Sequence, residues 1–149
     1  MKLPEKIIIS VLSTLIFSLS LAFLEYTPVT EQQTGVAYFS FKVLVIIYVI
    51  FSLPVYLIGG GLYSYFVDVY FDKVQFRNKF LKYLIEFLVY AAGGLLIVGV
   101  LLAIILLVDG SVAGILISKF FIVGALASLL FYHISLISKK ALKFVQDKL

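Results

Sequence analysis

Four long, nearly uncharged runs constrain how this chain folds more than any other sequence feature. The first two, residues 7–24 and 43–67, contain no charged residue over 18 and 25 positions. An α-helix rises about 1.5 Å per residue, so each run can cross a hydrocarbon core roughly 30 Å thick. Residues 83–108 and about 116–138 form two further runs. The sequence therefore predicts an all-α membrane protein with four transmembrane helices in a bundle.

The composition indicates the same class. Hydrophobic residues make up 63% of the 149 residues and charged residues 13%, with a mean hydropathy of +1.17. Soluble domains have roughly 45–50% apolar and about 25% charged residues. A chain of this length has too little interior to bury that excess away from water. We therefore expect one integral membrane domain over residues 1–149, with the lipid bilayer as its main partner.

The residue types that the chain lacks exclude several kinds of site. It has no cysteine and one histidine, which excludes disulfides, thiolate nucleophiles and an all-histidine metal site within one chain. The motifs of serine hydrolases, zinc proteases and phosphate-binding loops are not present. Its basic residues form no cluster with exposed aromatic residues, so nucleic acid is not expected as a partner. We expect no enzyme activity, and no catalytic residue, cofactor or metal.

Positive charges divide unequally between the two ends of the predicted spans. Ten of the twelve lie on one side: Lys2, Lys6, Lys73, Arg77, Lys79, Lys82, Lys139, Lys140, Lys143 and Lys148. Lys42 and Lys119 are the two on the other side. Because basic residues in short loops favour the cytoplasmic side, both termini are predicted to be cytoplasmic.

The first run has two interpretations. Lys2 and Lys6, the apolar stretch and residues 20–22 also resemble a signal peptide with its cleavage site. A retained span is favoured by the length of the run and by a face of small hydroxyl residues, which suits helix packing in lipid. That face holds Ser10, Ser13, Thr14, Phe17 and Ser18. Cleavage would leave the predicted orientation of the other three spans unchanged.

The second span contains the strongest break in helix regularity. A proline cannot donate a main-chain hydrogen bond and its ring crowds the preceding turn, so we expect a kink there. The three glycines that follow weaken the helix further, and this small face should pack against protein. The kink and packing residues are Pro54, Gly59, Gly60, Gly61 and Ser64. Three tyrosines on the roughly opposite face are expected to run toward the interface, where phenol groups reach water: Tyr56, Tyr63 and Tyr70.

Three ionisable side chains lie in the spans near their cytoplasmic ends. Asp68, Glu86 and His133 stand five, four and six residues from a flanking lysine, which is roughly 6–9 Å by helix rise. If the second, third and fourth spans bring them together, they form a polar cluster that can relay protons or bind a cation. The alternative is that each side chain lies at its own interface and is solvated there by water.

The residues around the end of the second span match a string of the form P-V-x-x-x-x-G-x-x-x-S-x-x-x-D. The matching positions are Pro54, Val55, Gly60 or Gly61, Ser64 and Asp68. In this string and in its four-span layout, the chain resembles an uncharacterised family of small membrane proteins from Bacillus and relatives. The resemblance implies the plasma membrane of a bacterium. It implies no known activity, so no functional residue is carried over.

The polar segments at the predicted cytoplasmic face allow more than one structure. Residues 139–149 place apolar residues on one helical side and mainly lysines on the other, which predicts an amphipathic helix on an anionic leaflet. The alternative is a frayed basic tail that fixes orientation. Residues 68–82 alternate aromatic and basic residues, so this connection is expected to lie along the membrane surface and could include a short interfacial helix.

The sequence favours a non-catalytic membrane protein that acts through helix packing. Small-residue faces suit an accessory subunit, an immunity-type protector or a self-associating component. Its protein partner would then be another membrane protein or a second copy of this chain. The alternative is a small oligomeric transporter or channel subunit that uses Asp68, Glu86 and His133. That alternative is favoured by the broken second helix, because interrupted helices line transport sites.

Overall fold

The protein is helical throughout most of the chain in a computed structural model that describes residues 3–71, 73–74, 76, 78–109 and 117–146. Its α-helices are α1 (Leu3–Glu25), α2 (Phe41–Pro54), α3 (Tyr63–Phe71), α4 (Lys79–Asp109) and α5 (Ile117–Gln146). A π-helical segment, Val55–Leu62, joins α2 to α3. Within the described part of the chain, four stretches are long and apolar enough to cross a membrane: Pro4–Glu31, Phe41–Phe71, Lys79–Val108 and Ile117–Ala141. The predicted all-α class with four transmembrane helices is confirmed.

The helix α1 packs against its neighbours along one face and exposes the opposite face. It packs against α2, the π segment and α5, whereas α4 packs mainly along α5. One polar face of α1 explains this position, because Ser10, Ser13 and Ser18 are fully buried between its neighbours. Small hydroxyl side chains let helices approach closely in lipid and supply interhelical hydrogen bonds. The Ser18 and Ser52 hydroxyls, for example, share such a bond of 2.9 Å between α1 and α2.

The π segment follows Pro54 directly and changes which residues share a face. Hydrogen bonds in a π-helix join residues five apart, so Tyr56 and Gly61 both turn toward α1. Both are buried, and the Ser10 hydroxyl donates to the Tyr56 carbonyl oxygen over 3.0 Å. The expectation that Tyr56 faces the membrane interface is therefore wrong. The expectation that Pro54 packs against protein is also wrong, because Pro54 is exposed. A seven-residue spacing no longer marks one face across this change of helix type.

Glycines set the closest helix contacts. A Cβ atom at Gly94 would meet the carbonyl oxygen of Gly124, so α4 and α5 approach there with little but main chain between them. A Cβ atom at Gly59 would lie 2.7 Å from Cδ1 of Ile97. Gly35, in the loop between α1 and α2, has a φ of +88°, a backbone conformation that favours glycine.

The segments predicted at the cytoplasmic face differ from expectation. The helix α5 continues to Gln146, so the predicted tail helix is an extension of the last span over its described part. Between α3 and α4, the described residues 73, 74, 76 and 78 are not helical, so they form no interfacial helix. Lys2, Arg77 and Lys148 lie outside the described residues.

Candidate functional site

The strongest polar feature is an ion-paired group of three side chains, Lys6, Asp68 and Lys139, which we call the charge triad. The Asp68 carboxylate at the end of α3 lies between the two lysines. Its Oδ2 atom is 2.6 Å from Lys6 Nζ of α1, and its Oδ1 atom accepts a hydrogen bond of 2.8 Å from Lys139 Nζ of α5. One carboxylate therefore ties three helices together, and the triad carries a net charge of +1.

The lysine of α1 is the most deeply buried member of the charge triad. Lys6 is 0% exposed as a residue, whereas the side chains of Asp68 and Lys139 are 14% and 38% exposed. Burial of an ammonium group is costly unless it is paired and hydrogen-bonded. Lys6 meets both conditions, because its Nζ atom also donates to the Ser64 hydroxyl, one helical turn before Asp68.

A chain of hydroxyl groups extends from the charge triad toward the middle of the bundle. Ser64 shares a hydrogen bond of 2.6 Å with the phenol of Tyr90 on α4. The Tyr90 ring in turn contacts those of Tyr63, Phe131 and Tyr132, with the Tyr132 ring centroid 4.8 Å away. Because Ser64 connects to Lys6 on one side and to Tyr90 on the other, α1, α3 and α4 share one hydrogen-bonded network.

Glu86 and His133 bond to other side chains instead of to Asp68. The Glu86 carboxylate accepts a hydrogen bond of 3.1 Å from the Tyr132 phenol, and lies 3.8 Å from the Lys82 ammonium group. His133 is exposed. Its Nδ1 atom donates a hydrogen bond of 2.7 Å to the Leu129 carbonyl oxygen, and its Nε2 atom lies 3.3 Å from the Tyr83 phenol oxygen. The three predicted residues thus bond to different partners, and no direct contact joins Asp68 to the other two among the described residues.

Sequence reasoning missed the partners of Asp68. The sequence alone predicts Lys6 and Lys139 to be flanking charges that set orientation, because each stands at the end of an apolar run. One signal for Lys6 was present: it precedes Ser10 by four residues and so continues the hydroxyl face of α1. The Ser10 hydroxyl indeed donates back to the Lys6 carbonyl oxygen over 2.9 Å.

An apolar cavity of about 460 Å³ begins directly beyond this network. Residues of α1, α2, the π segment, α4 and α5 line it. The buried rings of Tyr56, Tyr90 and Phe131 form its inner end. The Tyr56 phenol donates to the Ala127 carbonyl oxygen over 2.9 Å, so this hydroxyl is satisfied by the bundle itself. The cavity therefore offers almost only apolar surface to a bound molecule.

The arrangement is suited to charge compensation and binding. Among the described residues, no group of three His, Asp or Glu side chains could hold a metal ion. The charge triad contains one group, Asp68, whose protonation would leave two lysines without their shared partner.

Comparison with family models, with curated proteins and with solved structures finds no match to this chain.

Proposed function

We propose that this chain is a non-catalytic, multi-pass membrane protein that works as a small transporter for apolar or amphipathic compounds. The single observation that carries the proposal is the hydrogen-bonded connection of the charge triad, through Ser64 and Tyr90, to the inner end of an apolar cavity. Ionisable groups inside a bilayer are costly, and they usually mark transport or proton pathways. A helix interrupted beside the binding site is a recurring feature of transporters, and here the π segment with Gly59 and Gly60 lines the cavity.

The charge triad can link proton binding to the shape of the cavity. Protonation of Asp68 would remove the carboxylate charge that lies between Lys6 and Lys139. The two ammonium groups would then repel each other across a partly buried site, where screening by water is weak. Lys6 belongs to α1 and Lys139 to α5, and both helices line the cavity. The buried ion pair of Asp68 with Lys6 is thus the proposed site of proton exchange, in place of a direct cluster with Glu86 and His133.

An accessory, immunity-type or self-associating role is less well supported by the packing. Several small residues that could join this chain to another one are used within the bundle, as at the contact of Gly94 with Gly124, whereas Ala92, Gly99 and Ala103 of α4 stay at its surface. The polar face of α1 is buried in the same way. We place both termini on the cytoplasmic side, a proposal supported by the ten-to-two division of basic residues. Its location in the plasma membrane of a bacterium is proposed from the resemblance around Pro54 and Asp68.

Transport can be tested with purified protein in liposomes that contain a trapped pH-sensitive dye. We expect that adding anilinonaphthalene sulfonate, an amphipathic fluorescent anion, across an imposed pH gradient accelerates proton flux above that of protein-free vesicles. The Lys6→Met/Asp68→Asn double variant should return the flux to the protein-free rate. This variant removes the buried charge together with its partner, which limits the cost to folding. Glu86→Gln is the matched control and should retain the flux.

Two results would contradict the proposal. Wild-type vesicles that move protons no faster than empty ones would contradict transport. Equal flux from wild type and the folded double variant would remove Asp68 from the mechanism, even if transport itself occurs. Recovery of a stoichiometric membrane-protein partner together with an absence of flux would instead support the accessory role.

A further inference from the structure

The apolar cavity has an open end and a closed end. At its closed end Tyr56, Tyr90 and Phe131 are 5%, 4% and 1% exposed. At its other end the lining residues Phe51, Ile104 and Phe120 are 72%, 50% and 48% exposed. These three residues belong to apolar spans. The mouth of the cavity therefore opens between α2, α4 and α5 onto lipid, at the end of the bundle away from the charge triad.

Along α5, the length of the cavity is close to the thickness of the acyl region of one leaflet. Its lining along α5 runs from Phe120 to Phe131, a rise of about 16 Å along the helix. Along α4 it runs from Tyr90 to Ile105, a rise of about 22 Å. One leaflet contributes about half of a hydrocarbon core roughly 30 Å thick. A chain that enters at the mouth can thus lie along the cavity with its methyl end near Phe131.

The surroundings of the mouth indicate what the chain is attached to. Lys119 is exposed and directly precedes Phe120 at the mouth. A phosphate group in the headgroup layer at this level would find a complementary positive charge. Inside, the lining is apolar, and an unfilled apolar space of this volume would forfeit dispersion contacts on every side. Water is a poor occupant because it would have few hydrogen-bond partners there.

We propose that the apolar cavity holds one acyl chain of a phospholipid whose phosphate lies beside Lys119. The occupant comes from the leaflet at the mouth, and its chain passes between α2 and α4 and ends against Phe131. This inference does not depend on transport, since a protein that only retains a lipid would bind it in the same way.

The test is native mass spectrometry of the full chain, reconstituted with a phospholipid of defined chains and released from mild detergent. We expect wild type to retain one phospholipid per chain. Two variants that fill the cavity, Val123→Phe and Ala127→Phe, should lose it. The same changes on the exposed face of α4, Val100→Phe and Ala103→Phe, are matched controls and should retain it. Lys119→Glu should lower retention, whereas Lys42→Glu should leave it unchanged.

A second measurement covers the case in which the filled variants do not fold. Wild-type protein reconstituted with a phospholipid that is spin-labelled near its methyl end should show one strongly immobilised lipid per chain. Retention of a free fatty acid without phospholipid would contradict the proposed occupant. The proposal would also fail if no lipid is retained, if cavity and control variants retain it equally, or if no immobilised lipid is found.

Discussion

Replacing Asp68 with asparagine removes the one negative charge of the charge triad and leaves the shape of the side chain almost unchanged. Lys6 would keep its hydrogen bond to Ser64, but its buried ammonium group would lose the carboxylate that pairs with it directly. Lys139 would lose the same partner, although its side chain is 38% exposed and water can solvate it in part. The cost should therefore arise mainly at Lys6.

The size of the effect follows from the separation of the paired atoms. At 2.6 Å and an effective dielectric constant of about 20, the attraction between Lys6 and Asp68 is roughly 6 kcal/mol before any desolvation cost. Measured losses from removing one partner of a buried pair are about 3–5 kcal/mol. We adopt that range for Asp68→Asn, because partial relaxation of Lys6 toward the end of the bundle offsets some of the lost attraction.

The assay is reversible unfolding in mixed micelles, followed by loss of helical circular dichroism as the denaturing detergent increases. Glu86→Gln is the matched control, because Glu86 lies 3.8 Å from a lysine that is 43% exposed at its side chain. Such a pair contributes at most about 1 kcal/mol, and glutamine can still accept the hydrogen bond from Tyr132. If Asp68→Asn unfolds at the same detergent fraction as Glu86→Gln, the argument for a buried charge at Lys6 is refuted.

Two further predictions concern helix packing and orientation. Gly94→Ala should destabilise the protein by about 1–3 kcal/mol in the same unfolding assay, because the added methyl group would clash with the main chain of Gly124. Gly99→Ala is the control: its Cβ position has open space, so the substitution should stabilise α4 by up to about 1 kcal/mol. A reporter enzyme that works only in the cytoplasm should be active when fused after Leu149 and inactive when inserted beside Gly35. The loop at Gly35 has room for an insertion, because the Cβ position there has no neighbour within 4 Å. The reverse pattern of activity would overturn the predicted orientation.

The sequence predicts the four spans well because each apolar run needs a helix long enough to satisfy its main chain in lipid. Helix ends are predicted less well. The helix α4 begins at Lys79, four residues before the predicted span, and α5 continues eight residues beyond Ser138 to Gln146. Charged residues can prolong a helix past the apolar run, since the main-chain hydrogen bonds do not depend on side-chain polarity.

The candidate site is predicted only in part. Asp68 stands out in the sequence because a carboxylate inside a span needs a partner. The identity of that partner depends on the rotation of α1 and α5, which residue spacing within one helix does not define. Lys6 illustrates the difficulty: the same position is typical of an orientation signal and of a buried ion pair. Only its place on the hydroxyl face of α1, four residues before Ser10, distinguishes the two.

The apolar cavity could not be predicted from the sequence, because it is a space between helices. It exists where α2 and α4 stay apart while glycines elsewhere bring helices together. The π segment adds to the difficulty, since a change of helix type moves Tyr56 from the expected interface into the inner end of the cavity. Local sequence shows a proline and three glycines there, and several backbone geometries are compatible with them.

The most direct test of the central claim is a double-mutant cycle between Lys6 and Asp68. The free energy of unfolding would be measured for wild type, Lys6→Met, Asp68→Asn and the Lys6→Met/Asp68→Asn double variant. A direct buried ion pair predicts that the double variant is markedly more stable than the sum of the single effects implies, with a coupling energy of about 2–3 kcal/mol. Additive effects, with a coupling energy near zero, would contradict a charge triad inside the bundle.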